Sequence, residues 1–194
     1  MAGVLTIRRA ERRDAAEIAI LVDIASHGFA SWLWYGAVIR GEADTAIERG
    51  RERMRDDALD DGWTNASVAE IDGNVVGAVI GRPITEAVLD ERSPHPSLAP
   101  LVSLQQQVVG SWFVDSLATY RGYRRQGIGR RLLESELVRA EGRPLSLITE
   151  SYNAAAQSLY EAFGFRRISE LDAFRISETR EPHRWILMTR PARN

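Results

Sequence analysis

One stretch does most to limit the folds open to this chain. A β-rich run from Ser111 to Thr119 is followed by a helical pattern from Gly127 to Ala140, with Ile128, Leu132, Leu133, Leu137 and Val138 on one face, and then by a second β-rich run from Leu145 to Thr149. Strand, helix and strand in that order predict a right-handed βαβ unit with parallel strands. The rest reads as mostly antiparallel. Val4–Arg9 is a first strand, and Asp14 reads as the N-cap of a helix carrying Ile18, Leu21 and Val22. The charged stretch Glu42–Leu59 reads as a surface helix. Ala66–Glu70 and Val75–Gly81 flank Asp72-Gly73 as a hairpin. A helix over Asn153–Phe163, stopped by Gly164, precedes closing strands at Phe165–Ser169 and Trp185–Thr189. The order β-α-α-β-β-(insert)-β-α-β-α-β-β predicts an α/β (α+β) architecture: a mixed, mostly antiparallel central sheet with helices on both faces.

The chain has 194 residues, which suggests one domain over 1–194 with a sizeable core. A Pro-rich stretch at about 82–107, holding Pro83, Pro94, Pro96 and Pro100, reads as an insertion or lid in which only Leu98–Leu104 is apolar enough to order by packing. His95 within it reads as an exposed loop residue. There is no cysteine, so disulfides, thiolate metal sites and acyl-cysteine chemistry are excluded. All 25 basic residues are arginine, which excludes a P-loop lysine. With three histidines, His27, His95 and His183, no metal site is expected. A net charge of −2 gives no field to drive the chain onto nucleic acid or a membrane surface, and neither is expected as a partner. Arg8, Arg9, Arg12 and Arg13 interrupt the apolar N-terminus, and no run approaches a membrane span; a cytoplasmic protein is the expectation.

The segment with the most chemistry is Arg124-Arg125-Gln126-Gly127-Ile128-Gly129, between the first parallel strand and its helix. Small residues at a helix's first turn leave N–H groups uncovered, and those groups have no partner inside the helix, so the turn suits a phosphate. Arginine fills five of the eleven positions from 121 to 131. The spacing fails as a Walker loop, since Ile128-Gly129 stands where Lys-Ser/Thr is needed. It fails as a dinucleotide fingerprint as well, since Leu132 replaces the third glycine. An ordinary strand-to-helix turn is the other reading.

Leu117 through Gly129 resembles the acetyl-CoA-binding segment of the GNAT superfamily of N-acetyltransferases: an apolar strand end, a short loop with an aromatic, then Arg/Gln-x-x-Gly-x-Gly/Ala, filled by Arg124, Gly127 and Gly129. Asn153-Ala154, Tyr160 and Gly164-Phe165 match the family's second half. The resemblance is specific over about 111–169 and fades in 27–62 and 82–107; Arg121 departs from a position where the family often has proline. It implies the GNAT fold, with the parallel strand pair splayed apart, and acetyl-CoA as co-substrate without a metal. Free main-chain groups of Leu117, Ala118 and Thr119 would pair with the pantetheine arm. The amides of Arg125, Gln126, Gly127, Ile128, Gly129 and Arg130, beside Arg124, would hold the pyrophosphate. Asn153 would face the arm, a role compatible with capping its helix. Tyr160, seven residues on and on the same face, would reach the cofactor sulfur as general acid; a half-buried core tyrosine is the other reading.

The acceptor implied is an amine of a small molecule or peptide. Deprotonating a primary amine at neutral pH costs roughly 4 kcal/mol, so a general base is expected. Asp115, sharing strand parity with Leu117 and Thr119, is the candidate; a carboxylate paired with a nearby arginine is the alternative, and Glu150 and Glu70 are fallbacks. Phe29, Trp32, Trp34 and Tyr35 crowd into seven residues after His27. In this family that region forms one wall of the acceptor site, so His27, Trp32, Trp34 and Tyr35, with Trp112, are the candidate acceptor residues; core packing is the other reading for the rings. The resemblance leaves a homodimer open. The rival class is a non-catalytic acyl-CoA-binding sensor that keeps the fold without turnover.

Overall fold

In a computed structural model the chain is described over residues 3–175 and 181–192. The elements are β1 (Leu5–Arg9), α1 (Ala15–Ala25), α2 (Phe29–Ile39), α3 (Ala46–Met54), β2 (Ala66–Ile71), β3 (Asn74–Pro83), α4 (Ala99–Gln105), β4 (Trp112–Thr119), α5 (Ile128–Arg139), β5 (Leu145–Glu150), α6 (Ala154–Ala162), β6 (Arg166–Asp172) and β7 (Arg184–Arg190). The sheet is mixed, with helices on both sides, and its strand order is β1-β2-β3-β4-β5-β7-β6. β4 and β5 are the parallel pair, as the βαβ reading requires, and their ladder runs from Trp112 opposite Leu145 to Val114 opposite Leu147. The described β1–β2, β2–β3, β5–β7 and β6–β7 ladders are antiparallel. Among the described residues no single helix is long and apolar enough to cross a membrane.

The chain divides into two compact units, one comprising the chain to Arg82 with Asp115–Glu136, the other Pro83–Val114 with the chain from Leu137. In the first unit the hairpin forms where Asp72-Gly73 predicts it. Both residues take positive φ, 49° and 79°, as a type I′ turn requires. Ile18, Ala19 and Leu21 of α1 are fully buried with Trp34, Met54, Val68, Ile80 and Ala118, and each large apolar side chain so buried stabilises the unit by about 1.5–3 kcal/mol.

Several expectations about the helices are corrected. Asp14 precedes α1 but does not cap it: its carboxylate accepts the Glu11 N–H at 2.8 Å and the Arg8 guanidinium at 2.7 Å. The aromatic stretch after His27 is itself a helix, α2. Its free N–H groups are met by side chains from the end of α1, with Asp23 Oδ1 accepting Ser31 N–H at 2.8 Å and Ser26 Oγ accepting Ala30 N–H at 3.0 Å. α3 is half the predicted length. Thr45 caps it, accepting Glu48 N–H at 3.1 Å while Glu48 accepts Asp44 N–H at 2.9 Å; beyond Met54 the aspartates turn the chain, Asp56 accepting Ala58 N–H at 2.9 Å. On α5, Val138 is 78% exposed whereas Glu136 is fully buried, so the inward face runs through Ile128, Leu132, Leu133 and Glu136.

In the second unit, residues 83–108 are not an open loop. Short 3-10 turns at Glu86–Asp90 and Pro96–Leu98 lead into α4, which packs on β6 and β7 with Val102 and Leu104 buried. His95 is exposed and its Nδ1 accepts the Ser97 N–H at 3.2 Å, starting the second turn. β6 runs further than predicted, to Asp172, with a bulge between Arg167 and Ser169; its charged, exposed face suits a sheet edge.

Candidate functional site

The first unit holds the strand end, the loop and the helix start that the motif predicts. β4 ends at Thr119, and its neighbour β3 closes on it through Tyr120 N–H, which donates to Val76 O at 3.0 Å. Gly77 makes that approach fit: a β-carbon there would lie 2.9 Å from Ala118 O and 3.4 Å from Ile128 Cγ2. The Tyr120 hydroxyl donates to Glu17 on α1. After a 3-10 turn at Arg121–Tyr123 the chain enters α5 through two left-handed residues, Arg125 at φ 64° and Gly127 at φ 80°.

The chain is extended at Arg124 and left-handed at Arg125 and Gly127, and the first turn of α5 adds N–H donors that have no intrahelical acceptor. Residues 124–127 are exposed where the chain enters the helix, a place where main-chain N–H groups suit a phosphate or pyrophosphate. Arg124 Nε is anchored to Thr119 O at 3.3 Å, Gln126 to Gly122 O at 3.3 Å, and Arg130 to Glu134 at 3.0 Å. Among the described residues neither Arg121 nor Arg125 pairs with a carboxylate, so their charge is available to an anion. Arg125's left-handed backbone had no sequence signal, because arginine rarely adopts it.

Asp115 lies on β4 in the same unit. Its side chain is 26% exposed, Arg82 Nε stands 3.9 Å from Oδ1, and Ser116 Oγ donates to Oδ2 at 3.3 Å. Burial pushes its carboxyl above the ordinary aspartate value, opposed chiefly by Arg82. Of the fallback bases, Glu70 is bonded to Arg8 Nε at 2.8 Å, and Glu150, in the second unit, is 3% exposed.

Asn153 and Tyr160 lie in the second unit. Asn153 Oδ1 accepts Ala156 N–H at 3.2 Å, so it caps α6 as its sequence position suggests. Gln157 fastens that helix by donating to Glu150 O at 2.9 Å and Ser151 O at 3.1 Å, and it accepts from Arg167. Tyr160 is 7% exposed against Phe165, ring centroids 5.9 Å apart. Burial and the Glu150 charge raise its hydroxyl far above the usual tyrosine value, so it stays protonated.

The candidate acceptor residues separate. His27, left-handed at φ 50° between α1 and α2, is exposed, and Tyr35 is 54% exposed. Trp32 is half-buried and stacks on Phe29 with centroids 5.9 Å apart. Trp34 is a core residue, 9% exposed with its ring tight against Gly50. Trp112, in the second unit, is 6% exposed, with the guanidinium carbons of Arg139 and Arg143 4.8 and 5.1 Å from its ring centroid. Core packing is thus the reading that the surroundings of Trp34 and Trp112 favour. Arg82 had no place in the sequence reading. It stands on β3 and Asp115 on β4, strands joined by a long connection, so nothing local in the sequence marks their nearness.

The profile of the Acetyltransferase (GNAT) family matches residues 40–165. No curated protein matches the chain in sequence. Among solved structures, an N-acetyltransferase from Staphylococcus aureus Mu50 is similar at TM-score 0.66 and 19% identity, over 95% of this chain and 99% of that one. The ribosomal-protein-S18-alanine N-acetyltransferase from Escherichia coli is similar at TM-score 0.62 and 19% identity, over 97% and 94%. Naa20 from Chaetomium thermophilum, in complex with a bisubstrate analogue, is similar at TM-score 0.58 and 17% identity, over 96% and 86%. At these identities the likeness is one of fold.

Proposed function

This chain belongs to the GNAT acetyltransferase family, and from that membership we propose that it moves the acetyl group of acetyl-CoA directly to an amine of a small molecule or peptide. The observation that carries the reading is the amide run after β4, where Arg125 and Gly127 take φ 64° and 80° at the mouth of α5. That run suits the pyrophosphate, flanked by Arg124 and Arg130, and main-chain groups of Leu117, Ala118 and Thr119 suit the amides of the pantetheine arm. Without a cysteine to carry the acetyl group, transfer runs through a ternary complex.

In the proposed reaction Asp115 takes the proton from the acceptor ammonium. The freed lone pair attacks the thioester carbonyl and the C–N bond forms; the nitrogen gives up its second proton to water as the C–S bond breaks, and solvent later restores the proton that Tyr160 donates. Tyr160 gives its proton to the departing thiolate. Burial and the Glu150 charge keep that phenol protonated, so the proton is present to be given. Asn153 serves by fixing the start of α6. On the acceptor side, the accessible residues His27, Trp32 and Tyr35 are the proposed contacts, and they favour an amine on an apolar or aromatic body.

The test is release of CoA thiol from acetyl-CoA in the presence of a panel of primary amines, run beside calorimetric binding of acetyl-CoA. Amine-dependent thiol release is expected. Tight binding with no release on any amine would replace the enzyme by an acyl-CoA sensor.

A further inference from the structure

Asp115 is surrounded, within the first unit, by charges from three segments of chain. Arg82 on β3 brings Nε to 3.9 Å from Oδ1, and the two side chains are 22% and 26% exposed. Ser116, next on β4, donates its hydroxyl to Oδ2 at 3.3 Å. The ion pair of Arg53, at the end of α3, with Asp61, in the loop after it, acts through space: Asp61 disfavours the charged carboxylate and Arg53 favours it. Burial is the largest influence and also disfavours the charge, while Arg82 is the largest opposing one.

The distance matters as much as the sign. At 3.9 Å the guanidinium is outside hydrogen-bond range, so it acts on Asp115 through its field and leaves the lone pairs of Oδ1 uncommitted. A bidentate clamp would have stabilised the carboxylate and blocked it as well. The quarter of the side chain left exposed gives a proton a way in.

We infer that Arg82 is a positioning residue that favours the charged form of Asp115 while leaving it open, so that its carboxylate can receive the proton of the incoming ammonium. The inference rests on the reading of Asp115 as base. The proton passes from the ammonium nitrogen to Oδ1, giving the carboxylic acid, and returns to solvent after the amide product has left. With Arg82 removed, burial and Asp61 face the carboxylate with only Arg53 and Ser116 in its favour.

The experiment uses the full chain carrying aspartate labelled with carbon-13 at the carboxyl. The Asp115 signal is assigned by its loss in Asp115→Asn, and its titration is followed by NMR in wild type, Arg82→Gln, Arg82→Met and Arg82→Lys. The expected result is an upward shift of the Asp115 midpoint in the Gln and Met variants and a return toward wild type in Lys, which restores the cation. Asp61→Asn, which removes the like charge, shifts the midpoint downward. Gln and Met both keep the apolar stem, so either one that folds suffices, and an unmoved midpoint in it overturns the inference. The pH profile of CoA release, with whichever panel amine reacts fastest, separates this from the base assignment. An acid limb that moves upward with the NMR midpoint supports both. A midpoint that moves while the limb stays put retires Asp115 as base and leaves Arg82's hold on it standing.

Discussion

Gly50 packs tightly against the indole of Trp34: a β-carbon built at Gly50 would fall 2.3 Å from Cζ3 of the ring. The contact leaves no room for a β-carbon between α3 and the Trp34 ring, and it explains why a glycine sits mid-helix in α3, where it costs about 1 kcal/mol relative to alanine.

Gly50→Ala therefore sets a propensity gain of about 1 kcal/mol against overpacking of about 1–3 kcal/mol, because Trp34 is buried and its ring cannot swing clear. The expected outcome is a net loss of stability, read as a lower urea midpoint with an unchanged slope. A midpoint equal to or above wild type would show that the ring repacks freely.

A second prediction concerns pH. The Asp14 carboxyl is 6% exposed, and burial alone would raise its value, but the Arg8 bonds at 2.7 and 3.0 Å and the Glu11 N–H bring it below the ordinary aspartate value. A depressed folded value stabilises the protein above the unfolded value, near 3.9, and that stabilisation is lost as pH falls through the lower folded one. Asp14→Asn should cost about 1–3 kcal/mol at neutral pH, Arg8 being partly solvated, and the gap to wild type should close in acid. Denaturant melts of both proteins at pH 7, 5 and 3 read this directly. A gap that persists undiminished at pH 3 would mean that shape, not charge, holds Asp14.

These two features also mark where the sequence was informative. The Asp72-Gly73 turn, the βαβ unit and the Asn153 cap were all legible, because each depends on residues close together in sequence. The α2 helix was not, since its cap donors' partners, Asp23 in the preceding helix and Ser26 at its end, lie on the far side of a left-handed His27-Gly28 break. Val138 was placed inward by its apolar character but is exposed, while Glu136, which an apolar pattern passes over, is buried. The loop after β4 was legible in its glycines and arginines, but Arg125's backbone and Arg82's approach to Asp115 are set by folding of segments distant in the chain.

The loop supplies a third prediction. Gly127→Asp places a carboxylate where the proposed phosphate belongs, and like charges about 4 Å apart repel by at least about 1 kcal/mol. Calorimetry should show acetyl-CoA affinity reduced about fivefold or more. Because φ at Gly127 is 80°, any side chain also strains the turn, so Gly127→Asn is the companion variant: it makes the same backbone demand without the charge. Weaker binding by Asp than by Asn assigns the effect to the phosphate, and equal binding by the two would move the phosphate elsewhere.

The fourth prediction turns on the Tyr160 hydroxyl. Phe165 packs on the Tyr160 ring and the residue is 7% exposed, so Tyr160→Phe keeps the ring contacts and removes one oxygen. If that oxygen delivers the proton to the thiolate, the variant should bind acetyl-CoA about as wild type does, melt at nearly the same temperature, and turn over about a hundredfold more slowly, the usual scale of a lost general acid. The basic side of the profile sharpens the assignment. Burial and the Glu150 charge hold the phenol protonated well past its usual range, so wild-type turnover should show no decline from Tyr160 on the alkaline side below about pH 10. Paired kinetics and calorimetry decide it: an undiminished kcat in Tyr160→Phe would leave the tyrosine a core residue and assign the proton to water.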